Sequence, residues 1–177
     1  MKKIKASYLL TVIIFLLIII ALQYSYNRKI EIQQGQIIES KIDLMRSQLK
    51  SSLDILSPSE IPKAEDINRS FEKLSEDTWL LPGIMPGTMI LTYLDMIKVD
   101  LNRISQDLKN KKSEEEINAD KKLALNKITV LLNELSYIKE SCSTNSIKYF
   151  KLNKIDNAIV KKADKDMLDY LNKNNIH

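Results

Sequence analysis

Histidine occurs once in the chain, at His177, and cysteine once, at Cys142. A single imidazole at the terminus excludes a histidine base, or a His-based metal site, built within one chain. No histidine lies near Cys142 in sequence to activate its thiol. Cys142 continues a run of apolar residues at helical spacing and reads as a small buried hydrophobe, against the sharper alternative of a reactive or intermolecular thiol. One cysteine also excludes an internal disulfide framework, so packing must hold the fold. The three glycines form no phosphate-binding loop. Glu114, Glu115, Glu116 and Asp120 are the densest acidic cluster. They lack the loop ligands and the glycine of a calcium hand and read as a solvated helix start. Asn68-Arg69-Ser70 fits a glycosylation sequon but falls inside a predicted helix. No catalytic, cofactor-binding or metal-ligating residue is therefore expected, no cofactor is implied, and the chain is not expected to be an enzyme.

One stretch remains as a candidate site. Trp79-Leu80-Leu81-Pro82-Gly83-Ile84-Met85-Pro86-Gly87 holds the only tryptophan, two of the three glycines and two of the four prolines. Its two Pro-Gly pairs predict consecutive tight turns. Trp79, Ile84 and Met85 either close the end of a hydrophobic core, present themselves to a partner protein or apolar ligand, or dip into lipid. Leu80 and Leu81 carry the apolar run on from a helix end, which favours the core. A count of helix rises places the loop on the order of 20 Å above a membrane, which argues against lipid.

The elements that position this loop begin with Ala6 to Leu22, ASYLLTVIIFLLIIIAL, which carries no charge. Residues 9 to 22 are apolar all round except Thr11, so no wet face exists. The stretch rises about 25 Å as a helix, near the lower limit for crossing a bilayer. Lys2, Lys3 and Lys5 precede it, Arg28 and Lys29 follow it, and Tyr8, Tyr24 and Tyr26 lie where interfacial aromatics are expected. A cleaved signal would have a shorter apolar core and small residues at its cleavage site, which Ala21-Leu22-Gln23 lacks. The expectation is an uncleaved anchor with its amino end in the cytoplasm, because three lysines and the amino terminus outweigh two cations.

Helical periodicity runs through the rest. Ile38, Ile42, Met45, Leu49, Leu53 and Leu56 predict one helix leaving the membrane and ending at Ser57-Pro58, with Gly35 either a flexible joint or incidental. Ile67, Phe71 and Leu74 predict a second helix over about 64–80. Leu94, Ile97, Leu101, Ile104 and Leu108 predict a third over 88–109, with Asp95–Lys98 and Asp100–Arg103 paired on its wet side. Ser113 and Glu116 read as a capping box opening a fourth, whose seam is Ile117, Ala124, Ile128, Leu131, Leu135, Ile138 and Cys142. Ser143 to Ser146 reads as a turn. A last helix over 147–172 carries Leu152, Ile155, Ile159, Ala163, Met167 and Tyr170, and 147–152 also fits a short strand.

The expected fold class is all-α: a single N-terminal transmembrane helix continuing into an extracytoplasmic antiparallel bundle of four to five helices. Its parts are a cytoplasmic basic tip (1–5), the anchor (6–26), the bundle (27–173) and a frayed end (174–177). Without Lys2, Lys3 and Lys5 the charge is only about +1, which leaves no footprint for nucleic acid. The abundance of Lys, Asn and Ile points to a bacterium with an AT-rich genome. One span followed by an outer helical bundle resembles the sensing bundles of bacterial chemoreceptors and sensor kinases, without a second span or a cytoplasmic signalling domain following, and no residue role carries over. Two function classes follow. The first is a non-catalytic interaction or assembly subunit of the cell envelope, tethered in the lipid bilayer, with an envelope protein as partner and a homo-oligomer left open. The second is a ligand-sensing bundle or sensor accessory signalling through its single span, which would need a polar-lined pocket.

Overall fold

The computed structural model describes residues 2–78, 88–143, 145–153 and 157–174, with side chains from Tyr8 onward except those of Asp77, Thr78 and Asn153. Six α-helices occur among these residues, and no strand: α1 (Lys2–Leu56), α2 (Ala64–Thr78), α3 (Met89–Lys109), α4 (Glu114–Cys142), α5 (Ser146–Phe150) and α6 (Ala158–Lys173). A short 3-10 turn, Lys151–Asn153, follows α5.

The first helix is 55 residues long. Nothing between Lys2 and Leu56 interrupts it, because the segment holds no proline and Gly35 is its only glycine. It ends where expected, with the Ser57 amide and hydroxyl both donating to the Leu53 carbonyl at 2.8 and 2.7 Å before Pro58. Among the described residues nothing packs against the apolar part: Phe15 is 63% exposed and Leu22 66%. Burial begins at Gly35 and continues through Ile38, Ile42, Met45, Leu49, Ser52 and Leu56. That is an unbroken 4-3 alternation. Ser52 rather than Leu53 holds the sixth position, and Leu53 is only half-buried. Ser52 meets Ser70 of α2 through a short hydroxyl–hydroxyl bond, so two serines take the seam positions expected of Leu53 and Phe71 where the helices draw together near their turn.

Side-chain bonds fix the topology. Asp43 meets Lys139, Arg46 meets Ser136, and Lys121 reaches the turn after α1, so α1 and α4 run antiparallel. Asp100 meets Lys127 and Arg103 meets Asp120, so α3 and α4 also run antiparallel. Helices α1 to α4 contact one another in a ring, with α5 on α1 and α6 against α3 and α4. The core lies inside that ring and contains the whole expected seam of α4, from Ile117 to Cys142. The expected capping box is present: the Glu116 amide donates to Ser113 Oγ and the Ser113 amide to Glu116 Oε2, both at 3.3 Å.

The last segment departs from expectation. The single helix over 147–172 is two helices, and the alternative strand at 147–152 is α5 and its 3-10 turn. Two asparagines explain the break. Asn145 caps α5, its Oδ1 accepting from the Ile147 and Lys148 amides. Asn157 caps α6, accepting from Ile159 and Val160, while its Nδ2 donates to the Lys151 carbonyl at 3.0 Å. A restarted helix resets its phase. The buried stripe of α6 is Val160, Ala163, Met167 and Leu171, with Ile159 and Tyr170 half-buried beside it. The bundle thus has one element more than the four to five expected.

Gly35 has a packing role that sequence did not assign. It is buried where the start of α5 lies on α1, and a β-carbon placed there would sit 1.7 Å from the Ser146 carbonyl oxygen. Backbone must therefore move to admit a side chain. Gly35→Ala should lower stability by about 1–3 kcal/mol in spite of the better helix propensity of alanine. Ile128→Ala, at a fully buried seam position, should cost about 2–5 kcal/mol. Urea unfolding of the full chain in detergent measures both, and a Gly35→Ala protein as stable as the parent would exclude the close approach.

Candidate functional site

Trp79, Ile84 and Met85 lie outside the described residues, so the structure does not bear on the loop that carries them. Thr88 and Met89, just after it, are described. Met89 opens α3, and its amide donates to Asp164 Oδ1 of α6 at 2.8 Å. A carboxylate on another helix thereby satisfies one of the orphan donors of α3. Burial raises the Asp164 pKa and the Met89 bond opposes it.

The other expected chemistry resolves as follows. Cys142 is fully buried, and burial pushes its thiol up to about 11, so it sits as a small hydrophobe at the end of the α4 seam. Among the described residues no three His, Cys, Asp or Glu side chains are placed to hold a metal ion. Asn68 of the sequon accepts a 2.6 Å hydrogen bond from Ser105 of α3.

Two polar constellations went unread in the sequence. The first joins α3 to α4. Asp100, placed by sequence on the wet side, is buried with its side chain 3% exposed, and its partner Lys127 on α4 is 6% exposed, at 2.8 Å. The expected Asp100–Arg103 pair exists at 3.1 Å, and Arg103 also bridges to Asp120 of α4 at 2.9 Å. Farther along, the Lys112 ammonium beside Asp107 holds its carboxyl below the usual range, while burial raises Asp120. The signal was present: Asp100, Arg103 and Asp107 are spaced by three and four residues, flanking the apolar seam rather than opposing it. Lys121 is a second buried cation. It fills the seven-residue gap in the α4 seam between Ile117 and Ala124, and its ammonium donates to the Pro58 and Glu60 carbonyls beyond the end of α1.

The second constellation is a cleft of about 490 Å³ between α1 and α4, lined by Glu39, Arg46, Ser136, Lys139, Glu140 and Ser143. Its floor is fixed by the Lys139 ammonium on both oxygens of Asp43, at 2.5 and 2.7 Å. Arg46 donates from Nη2 to Ser136 Oγ at 3.1 Å and from Nη1 to Asp43 at a long 3.4 Å. Its Nε is shut off from solvent without an acceptor. Ser143, where α4 ends, is held at φ 54, ψ −143, a left-handed conformation that a serine rarely adopts. The volume lies within the range of small-molecule sites. The seams of the bundle are aliphatic, but this cleft is polar and stands beside them, which the apolar periodicity could not reveal. It offers charge and hydrogen bonding, with no nucleophile or base set against an electrophile.

Compared with known proteins, the chain matches no family model, no curated protein and no solved structure.

The buried pair between α3 and α4 has a sharp energetic signature. Asp100→Asn leaves the Lys127 ammonium buried without its counter-charge and should cost about 3–5 kcal/mol. Replacing the pair together, with Asp100→Leu and Lys127→Met, should restore most of that loss in urea unfolding. A second test uses pH. Burial, the first cause, raises the Glu134 pKa; Asp166 adds to the shift and Lys162 opposes it. The folded state therefore keeps this proton to higher pH than the unfolded chain, and stability falls as pH rises through the window above the ordinary glutamate value of about 4.3. Glu134→Gln should raise the melting temperature at pH 7 and leave it unchanged at about pH 3, where both states of the parent are protonated. An equal gain at both pH values would assign the effect to packing.

Proposed function

We propose that this protein is a membrane-tethered, non-catalytic helical bundle that serves as an interaction or assembly subunit of the cell envelope. The observation that carries this reading is the division of α1. Its first part is apolar and packs against none of the described residues, while its last part, from Gly35 onward, is a wall of the bundle. A bare apolar helix of this length has a bilayer as its natural solvent. In this reading the amino end is cytoplasmic, the span is single, and the bundle faces outward to meet an envelope protein. The short Trp79–Met89 connection remains its candidate docking loop. A second reading, a ligand-responsive bundle acting through its span, is favoured by one observation: the polar cleft lies on α1, the helix that also carries the apolar stretch.

Protease added to intact, wall-stripped cells should digest the bundle and leave a small membrane-bound fragment. A protected full-length chain would reverse the orientation, and release of an intact soluble domain would remove the anchor.

A further inference from the structure

We propose that the cleft between α1 and α4 binds a short free peptide, or an equivalent molecule with a primary amine at one end and a carboxylate at the other. This rests on the ligand-responsive reading and supplies its ligand class. The antiparallel register divides the cleft by charge. Asp43 faces Lys139 and Arg46 faces Ser136, so one helical turn in the opposite direction brings Glu39 to the level of Ser143, with Glu140 lower, next to Lys139. One end of the cleft is thus acidic, with Glu39, and the exposed Glu140 stands between that end and the middle. The other end is basic, with Arg46. Asp43 lies between the two cations, close on Lys139 and at a longer 3.4 Å from Arg46.

Each end has idle capacity. A guanidinium has five donors, and Arg46 uses two of them, one across a long 3.4 Å contact. Its Nε is shut off from solvent, so a carboxylate would dock on the remaining Nη1 and Nη2 hydrogens in two-point geometry. Glu39 and Glu140 line the cleft without a hydrogen bond or ion pair to another described residue. They are acceptors for an ammonium, and the Ser143 hydroxyl lies at the same end. Size then selects within the class. Glu39 and Arg46 are two helical turns apart, a rise of about 10 Å. A dipeptide or tripeptide, at about 3.5 Å per residue, spans a distance of this order. A single α-amino acid has its two charges too close together to reach both ends. A protein terminus supplies only one of the charges.

Isothermal titration of the full chain in nanodiscs with Ala-Ala and Ala-Ala-Ala tests this. Saturable binding is expected for at least one of them. N-acetylation or C-amidation of the peptide should each weaken it by about tenfold or more, as expected when one charged end loses its partner. Arg46→Gln and Glu39→Gln should do the same, with circular dichroism melts confirming that both fold. Lys73→Gln, at a separate small cavity between α1 and α2, should bind as the parent does. Absence of heat up to about 10 mM peptide, far above the range of a working site, would overturn the proposal. Blocked peptides binding as well as free ones would also overturn it, and so would a folded Arg46→Gln protein with parental affinity. None of these failures touches the membrane tether, which fractionation and protease access read independently.

Discussion

The structure depends on one unbroken stripe along α4. Ile117, Lys121, Ala124, Ile128, Leu131, Leu135, Ile138 and Cys142 alternate at four and three residues without a fault, and all are buried. That alternation keeps one face of α4 turned inward over about seven turns, long enough for α1, α3 and α6 all to pack on the same helix. The chain has one cysteine and, among its described residues, no metal site, so apolar burial along this stripe and its partners is the source of cohesion. On α3, Tyr93 is buried with its hydroxyl donating to the Met167 carbonyl of α6 at 2.9 Å, and burial raises its pKa.

Helix α1 carries this order outward. Its α4-facing side holds Ile42, Met45 and Leu49, one side away lie Glu39, Asp43 and Arg46, and the same uninterrupted rod contains the bare apolar stretch. A continuous helix passes displacement along its axis where a hinged one would absorb it. Gly35 bears on this. It lies in α1 between the cleft and the apolar stretch, and it is held by α5 in a contact too close for any side chain. A glycine that sequence alone presents as a weak point is instead clamped.

Periodicity made much of the fold legible. The α4 seam, its capping box and the proline stop of α1 were all readable because each is a local pattern with one dominant cause. What was not legible has a common physical origin. Reading only apolar residues placed Leu53 and Phe71 in seams where the helix phase puts Ser52 and Ser70, and it left a gap where Lys121 stands. In the last segment, two asparagine caps compete with a plausible continuous helix, and helix phase cannot be carried across a cap. The cleft was invisible for a different reason. Its residues come from two helices roughly ninety residues apart in sequence, and each alone looks like an ordinary solvated face.

The buried charges answer a weakness in the seams themselves. An aliphatic heptad repeat is nearly indifferent to a slip of one heptad, since Ile, Leu and Ala recur at every step. Register must come from groups that match at one alignment only. Lys127 on Asp100 sets α3 against α4, Lys121 on the Pro58 and Glu60 carbonyls sets α4 against the end of α1, and Lys139 on Asp43 sets the same pair near the other end. Slipping α4 by one heptad against either neighbour would bury Lys127 or Lys121 without an acceptor, a penalty far larger than the packing change. The α1–α4 register so fixed is also what separates the acidic and basic ends of the cleft. The polar contacts that add least to cohesion thus decide which side chains meet.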